Sequence, residues 1–358
     1  ATIGGVGQYD DLALEKMLAG KTATVAPYID DDTEGMTGTS NVKDTETLLE
    51  LVYLYITQPR KDPQAFKSLM EQQEAFLTNA HVNPMLAYND TLHKVAYGTD
   101  RLASMDKERL KKVNYDRIMQ IYKERFASAA DFKLILTGNI NLDKLCPLLC
   151  RYMAVLPSNN RTEGIGTHGA RLVDGKKTYI FHKKQATPTA ITTIVIKGKM
   201  EYSNRNELLM DAIGQLLRIV YTDKVREEKG GTYSVQVSGD LQHHPADEAL
   251  LRIAFQTDPQ KYHELIPIVY EQLHKMATEG PSQQDLDKVK AYERKVYNQV
   301  LRMNNYWEYV LYSDLFNGID VDTTFRSIVE SMTCDDIRTT LRQLLDQNNC
   351  IEVTMTQK

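Results

Sequence analysis

The 358-residue chain is long enough for two domains, and its 42% hydrophobic and 25% charged residues are typical of globular proteins. A formal net charge of −5 gives no basic field, so the composition offers no support for nucleic-acid binding. No apolar run approaches the ~20 residues of a membrane span, and four cysteines are too few for a disulfide scaffold.

A stretch rich in Gly, Asn, Ser and Thr divides the chain after Pro157 and shows no helical periodicity. Within it, residues 161–176 are predicted to be a linker. A first domain then covers residues 1–160 and a second covers residues 177–358. The order of elements is similar on the two sides, which suggests a diverged repeat.

The first domain is predicted to contain strands followed by helices, with a closing strand and helix. The predicted elements are helix Asp11–Ala19, strands Lys21–Ile29 and Glu34–Ser40, helices Asp44–Thr57, Pro63–Asn79, Pro84–Ala96, Asp106–Lys112 and Tyr115–Phe126, strand Asp131–Thr137, and helix Leu142–Met153.

The second domain repeats this order. The predicted elements are strands Lys177–Lys184 and Thr189–Lys199, helix Arg205–Glu227, strands Thr232–Gly239 and Glu248–Thr257, helices Gln260–Thr278, Ser282–Met303, Asn305–Asn317 and Thr333–Asp346, and strand Cys350–Met355. The predicted fold class is therefore α+β, as two similar domains, each a mostly antiparallel sheet covered by helices.

A zinc hydrolase needs two or three converging ligands, and the eight histidines include neither His-x-x-Glu-His nor its inverse. His243 and His244 are predicted to lie in a turn. Cys146 and Cys150, four residues apart on a helix, are predicted to be small buried hydrophobes, because no second pair of ligands lies nearby. The prediction is that this chain holds no metal and is not a complete hydrolase by itself.

Arg226 and Tyr233 are the strongest candidates for a functional role. They stand at the end of an apolar helical run and the start of an alternating strand, with Gly230-Gly231 between them. A purely structural interpretation is available: a cation near a helix C-terminus, and an aromatic residue sharing a strand face with Val235 and Val237. The functional interpretation is that a guanidinium and a phenol are directed at one point, where they suit a peptide carbonyl and the oxyanion it becomes.

The segment from Arg226 to Val235, Arg-Glu-x-x-Gly-x-x-Tyr-x-Val, resembles the second-half signature of the pitrilysin/insulysin-type peptidases with an inverted zinc motif, which include the mitochondrial processing peptidases. On the first side, Leu18–Lys21, Glu34–Gly38 and Gln58–Asp62 resemble the third domain of large single-chain bacterial members. The resemblance covers essentially the whole chain. It implies that the chain is a C-terminal half cut from a longer peptidase, opening partway into a domain.

The resemblance implies a clamshell enzyme whose first half carries the zinc ligands and whose second half contributes Arg226 and Tyr233. Arg226 would contact the bound peptide, and Tyr233 would donate to the scissile carbonyl oxygen. The implied function is the non-zinc-binding half of a zinc metalloendopeptidase. Its expected partners are a zinc-binding N-terminal half or subunit and a peptide or unfolded polypeptide substrate, and zinc is expected only in the full enzyme.

The alternative is a non-catalytic structural or assembly subunit of the same fold. Retention of both Arg226 and Tyr233 favours the peptidase, because a structural relative need not keep them. A bacterial periplasmic or envelope location follows only from the kind of members that the chain resembles.

Overall fold

The structure, a computed structural model, describes residues 2–80, 83–159, 162–164, 169–229 and 235–357, with the backbone alone for residues 225–229. The chain forms two compact units, Ala1–Ala80 with Met105–Gly169 and His81–Ser104 with Ala170–Lys358. Helices and mostly antiparallel strands make up both units, which confirms the predicted α+β class.

The first unit is mainly helical. Its elements are α1 (Asp11–Leu18), β1 (Ala23–Ile29), β2 (Glu34–Ser40), α2 (Thr45–Thr57), α3 (Pro63–Ala80), then, after α4 (Pro84–Tyr97) of the second unit, α5 (Lys107–Leu110), α6 (Tyr115–Arg125) and α7 (Leu142–Tyr152). Strands β1 and β2 pair antiparallel, with Val25 opposite Gly38. Its apolar interior is small, and one cluster contains the buried residues Val6, Leu14, Ala23, Leu48 and Leu51.

The predicted strand Asp131–Thr137 is wrong, because residues 132–137 form neither a helix nor a strand. A strand exists only when a neighbour takes up its backbone hydrogen bonds, and no described segment pairs with this one. The side chain of Leu134 is consequently 51% exposed despite the alternating sequence around it.

The prediction that Cys146 and Cys150 are buried is also wrong. Both thiols lie on the exposed surface of α7. Leu145 is the buried residue of this helix. The helix therefore buries fewer of its apolar side chains than the sequence pattern predicts.

The second unit contains α4 and most of the remaining elements. These are β3 (Lys176–His182), β4 (Ala190–Lys199), α8 (Asn204–Lys229), β5 (Val235–Gln242), β6 (Glu248–Thr257), α9 (Tyr262–Glu279), α10 (Gln283–Val300), α11 (Asn304–Tyr312), α12 (Phe325–Ser331), α13 (Cys334–Leu345) and β7 (Asn349–Thr356). The helix predicted over Asn305–Asn317 is α11 followed by a π-helical turn at Ser313–Asn317, and the sequence did not reveal α12.

A five-stranded sheet in the order β3-β7-β4-β6-β5 organises the second unit. Only the β3–β7 pair is parallel. One face of the sheet packs under α8, α9 and α13 in a single large cluster of buried side chains, to which β4 gives Ile194 and Ile196 and β6 gives Leu251 and Ile253. Successive residues of a strand point to opposite faces of the sheet. Ile191 of β4 therefore points away from the face that carries Ile194 and Ile196, and it belongs to a second cluster.

Helix α4 packs on the other face of this sheet, although the sequence places it in the first domain. Tyr88 and Leu92 of α4 are buried against Ile351 and Val353 of β7. The Tyr88 hydroxyl donates to the Thr193 hydroxyl at 2.6 Å. Burial raises the pKa of Tyr88 to about 12, so this hydroxyl keeps its proton over the physiological range. Residues 81–104 thus fold with the second unit because α4 covers apolar sheet surface there.

Candidate functional site

Helix α8 carries Arg226 and spans 26 residues. It forms because apolar side chains recur at helical spacing and are buried on one side against the sheet. Met210, Ile213, Leu217 and Tyr221 are fully buried along it. At a rise of 1.5 Å per residue the helix is about 39 Å long, so its end is far from its first turn.

Two glycines let α8 approach the edge strand β5 at backbone distance. A Cβ built on Gly239 would lie 2.0 Å from the carbonyl oxygen of Met210, and one built on Gly214 would lie 2.9 Å from the backbone nitrogen of Gly239. Real Cβ atoms do not come this close to backbone atoms, so both positions require glycine. The helix and the strand are therefore held together by their main chains.

Tyr221, about one turn before Arg226, attaches α8 to a second neighbour, helix α9. Its ring is fully buried, and its hydroxyl donates to the carbonyl oxygen of Val269 in α9 at 3.1 Å. Burial raises the pKa of this phenol, so the group acts as a neutral donor. Strand β5 and helix α9 thus fix the direction of α8 on two sides.

The structure places Arg226 within the backbone of α8, but its side chain is outside the described part of the structure. Tyr233 lies outside the described residues altogether, and β5 begins two residues later at Val235. The roles of both residues stay predictions. What the structure describes is the helix that contains Arg226 and the strand that begins two residues after Tyr233.

An acidic cluster on α8 was not singled out from the sequence. Asp211 and Glu293 both accept hydrogen bonds from the amide of Gln215, which is buried. Burial and the charge of Asp211 raise the pKa of Glu293 on α10. Glu207 lies on α8 one turn before Asp211. Burial raises the pKa of Glu207, and its carboxylate accepts a hydrogen bond from the Tyr309 hydroxyl at 2.8 Å. The available signal was the i and i+4 spacing of Glu207 and Asp211 beside the apolar residues of α8.

His243 and His244 lie between β5 and β6. The Nδ1 of His243 lies 2.7 Å from a carboxylate oxygen of Asp247, and its ring stacks on Tyr202 with the ring centroids 4.8 Å apart. Among the residues that the structure describes, no three His, Cys, Asp or Glu side chains are grouped so that they could hold a metal ion. His243 thus contacts a carboxylate and an aromatic ring, and the described residues around these two histidines form no metal site.

Comparison with known proteins gives consistent matches over this chain. Residues 112–292 match the family model described as the peptidase M16 inactive domain. The probable zinc protease PqqL of Escherichia coli is 20% identical over 352 residues, covering 95% of this chain and 37% of that protein. The chain therefore spans less than half of the length of this relative.

Solved structures share the fold of this chain. The crystal structure of the periplasmic protease PqqL from Escherichia coli superposes with a TM-score of 0.83 at 19% identity, over 100% of this chain and 40% of that one. A peptidase M16 inactive domain from Pseudomonas fluorescens superposes with a TM-score of 0.77 at 17% identity, over 99% of this chain and 87% of that one.

The close contact at Gly239 generates a stability prediction. We expect Gly239→Ala to destabilise the second unit by about 1–3 kcal/mol, because the new methyl group must push α8 away from β5. Trp307, the single tryptophan of the chain, lies in α11 and reports unfolding of this unit by its fluorescence in urea.

Gly198→Ala is the matched control. It lies in β4, and its methyl group would meet the flexible side-chain amide of Gln347, so a smaller loss is expected. An unchanged urea midpoint for Gly239→Ala would contradict the described contact.

The raised pKa of Glu293 generates a pH prediction. The folded state keeps this proton to a higher pH than the unfolded chain does, so stability falls as the pH rises above the ordinary value of 4.5. Glu293→Gln removes the charge and keeps an acceptor for Gln215, so the variant should be more stable than the parent at pH 7 and equally stable below about pH 4.

The same urea titration, followed by Trp307 fluorescence at pH 4 and pH 7, tests this expectation. Glu330→Gln is the control with the opposite sign, because Arg294 lowers the pKa of Glu330 and that variant should lose stability at pH 7. A Glu293→Gln protein no more stable than the parent at pH 7 would refute the assignment.

Proposed function

Because the chain belongs to the peptidase M16 inactive-domain family, we propose that it is the non-zinc-binding half of a zinc metalloendopeptidase. In this role it binds the peptide substrate and stabilises the oxyanion that forms during hydrolysis. The observation that carries the proposal is the main-chain contact between α8 and β5 at Gly214 and Gly239. It holds α8, which contains Arg226, against β5, which begins two residues after Tyr233.

Arg226 and Tyr233 have complementary tasks in this proposal. The guanidinium of Arg226 stays charged at all physiological pH values and offers several donors, so it can hold a peptide carbonyl or carboxylate in place. The phenol of Tyr233 donates one hydrogen bond to the carbonyl oxygen of the scissile bond. That hydrogen bond strengthens as the oxygen gains negative charge, which lowers the barrier to hydrolysis.

Zinc belongs to the partner half in this proposal. The sequence contains no inverted zinc motif, and the donor sets that the structure describes do not fit a metal ion. When bound by the partner, zinc supplies a Lewis acid and an activated water. This chain by itself is therefore expected to be inactive, and its expected partners are a zinc-binding N-terminal half or subunit and a peptide or unfolded polypeptide.

We also propose a bacterial periplasmic location for the full enzyme. The support is the Escherichia coli relative, whose structure is that of a periplasmic protease. Within the described residues, no helix is both long and apolar enough to cross a membrane.

The role of Tyr233 can be tested in the enzyme that contains both halves. We expect Tyr233→Phe to lower peptide turnover by about 10²-fold, because loss of one oxyanion donor costs that much, while zinc content stays unchanged. The measurement is steady-state cleavage of a fluorogenic peptide together with metal analysis of the purified protein.

Tyr292→Phe is the matched control, since this tyrosine of α10 is 54% exposed and lies outside the proposed site. Its turnover should equal that of the parent. Unchanged turnover in Tyr233→Phe would reject the catalytic role and favour the alternative, a structural subunit of the same fold.

A further inference from the structure

Strand β3 forms an open edge of the five-stranded sheet. It pairs with β7 on one side, and no described residue pairs with its other side. Six of its seven residues are exposed, and the side chains of Tyr179 and Ile180 are 47% and 46% exposed. A strand of this length with free backbone groups is a template on which another strand can add.

The hydrogen bonds at the two ends of β3 show which backbone groups face outward. The Lys183 N–H donates to Thr356 at 2.9 Å, and the Gly175 carbonyl accepts from Cys350 at 3.1 Å. In a parallel ladder alternate residues turn both backbone groups to one neighbour, so the odd-numbered residues bond β7. The four even-numbered residues therefore present their N–H and C=O groups to the free edge, namely Lys176, Thr178, Ile180 and His182.

Lysines stand at both ends of this edge, Lys176 and Lys177 before the apolar centre and Lys183 and Lys184 after it. None of the four has an ion-pair partner among the described residues. The nearby carboxylates are engaged elsewhere. Asp174 pairs with the buried Lys197 at 2.9 Å, and Glu352 of β7 accepts from the Tyr270 hydroxyl at 2.9 Å.

We propose that the β3 edge, residues 176–184, binds an extended acidic polypeptide segment by strand addition. The charge pattern decides the occupant, because two copies of this edge would bring like charges together, whereas a strand with acidic ends and an apolar centre would match it. The lysine pairs are about 23 Å apart in an extended strand, which fits a segment of eight or nine residues.

This site is separate from the one around Arg226 and Tyr233. In the strand order, β3 and β5 are opposite edges of one sheet, about 19 Å apart at the usual strand spacing. A polypeptide held at β3 would thus be anchored away from the segment that precedes β5. The inference concerns binding alone, so it does not depend on the proposed catalytic role.

The test measures binding of a fluorescein-labelled, end-capped nonapeptide, Glu-Glu-Thr-Val-Tyr-Val-Thr-Glu-Glu, to the 358-residue chain by fluorescence anisotropy. We expect saturable binding that weakens by about tenfold in high salt, because exposed charge pairs are screened. The same peptide with lysine in place of glutamate should not bind. A third peptide, N-methylated at each of its five central residues, should also fail to bind, because it lacks donors for strand pairing on both of its edges.

Two variants of the protein complete the test. The charge-reversed variant K176E/K177E/K183E/K184E should lose the acidic peptide and bind the lysine peptide instead. Ile180→Pro removes an outward N–H without removing a bond to β7, and should also lose the acidic peptide. The urea transition of Trp307 checks that each variant is folded.

Three results would overturn the proposal. The first is no binding of the acidic peptide, which would mean that the lysines only protect the edge from self-association. The second is equal binding of the glutamate and lysine peptides. The third is equal binding of the N-methylated peptide, which would exclude strand addition. Peptide cleavage plays no part in the assay, so a failed Tyr233 prediction leaves its outcome unaffected.

Discussion

The contact between α8 and β5 at Gly214 and Gly239 is the constraint on which the second unit and its proposed site depend. Main chain meets main chain there, so no side-chain rearrangement can change the spacing without moving the whole helix. Tyr221 fixes the same helix against α9 a few residues before its end. These contacts hold the middle of the helix and the turn around Tyr221.

The second unit uses its sheet in two ways. One face packs against α8, α9 and α13, α4 packs on the opposite face, and β3 and β5 form the two edges. Strand β5 forms one edge, and the proposed catalytic pair lies in the sequence shortly before this strand. At the β3 edge the backbone is open and flanked by lysines. In these two proposals the sheet binds a polypeptide at one edge and contributes to its cleavage at the other. Such an arrangement would accommodate a polypeptide longer than the segment that is cleaved.

Sequence periodicity predicted the elements that bury a continuous face, such as α8 and β6, because their apolar spacing is set by the core itself. It failed at Asp131–Thr137, where alternation is present but a strand also needs a partner. The sequence predicted that α4 is a helix, but not that it belongs to the second unit. That assignment depends on contacts such as the one between Tyr88 and Thr193, residues 105 positions apart. The pair Arg226 and Tyr233 could be nominated from pattern and resemblance. The glycine contact between α8 and β5 could not, since Gly214 inside a helix indicates only a local loss of helix stability.

The central claim is that Arg226 and Tyr233 act on one substrate as a unit set by the α8–β5 scaffold. A double-mutant cycle with Arg226→Lys and Tyr233→Phe in the two-half enzyme, read out as kcat/KM for one peptide, tests it most directly. We expect non-additive losses, with a coupling of about 1–3 kcal/mol between the two changes. Losses that simply add, to within about 0.5 kcal/mol, would show that the two side chains act independently and would contradict the account.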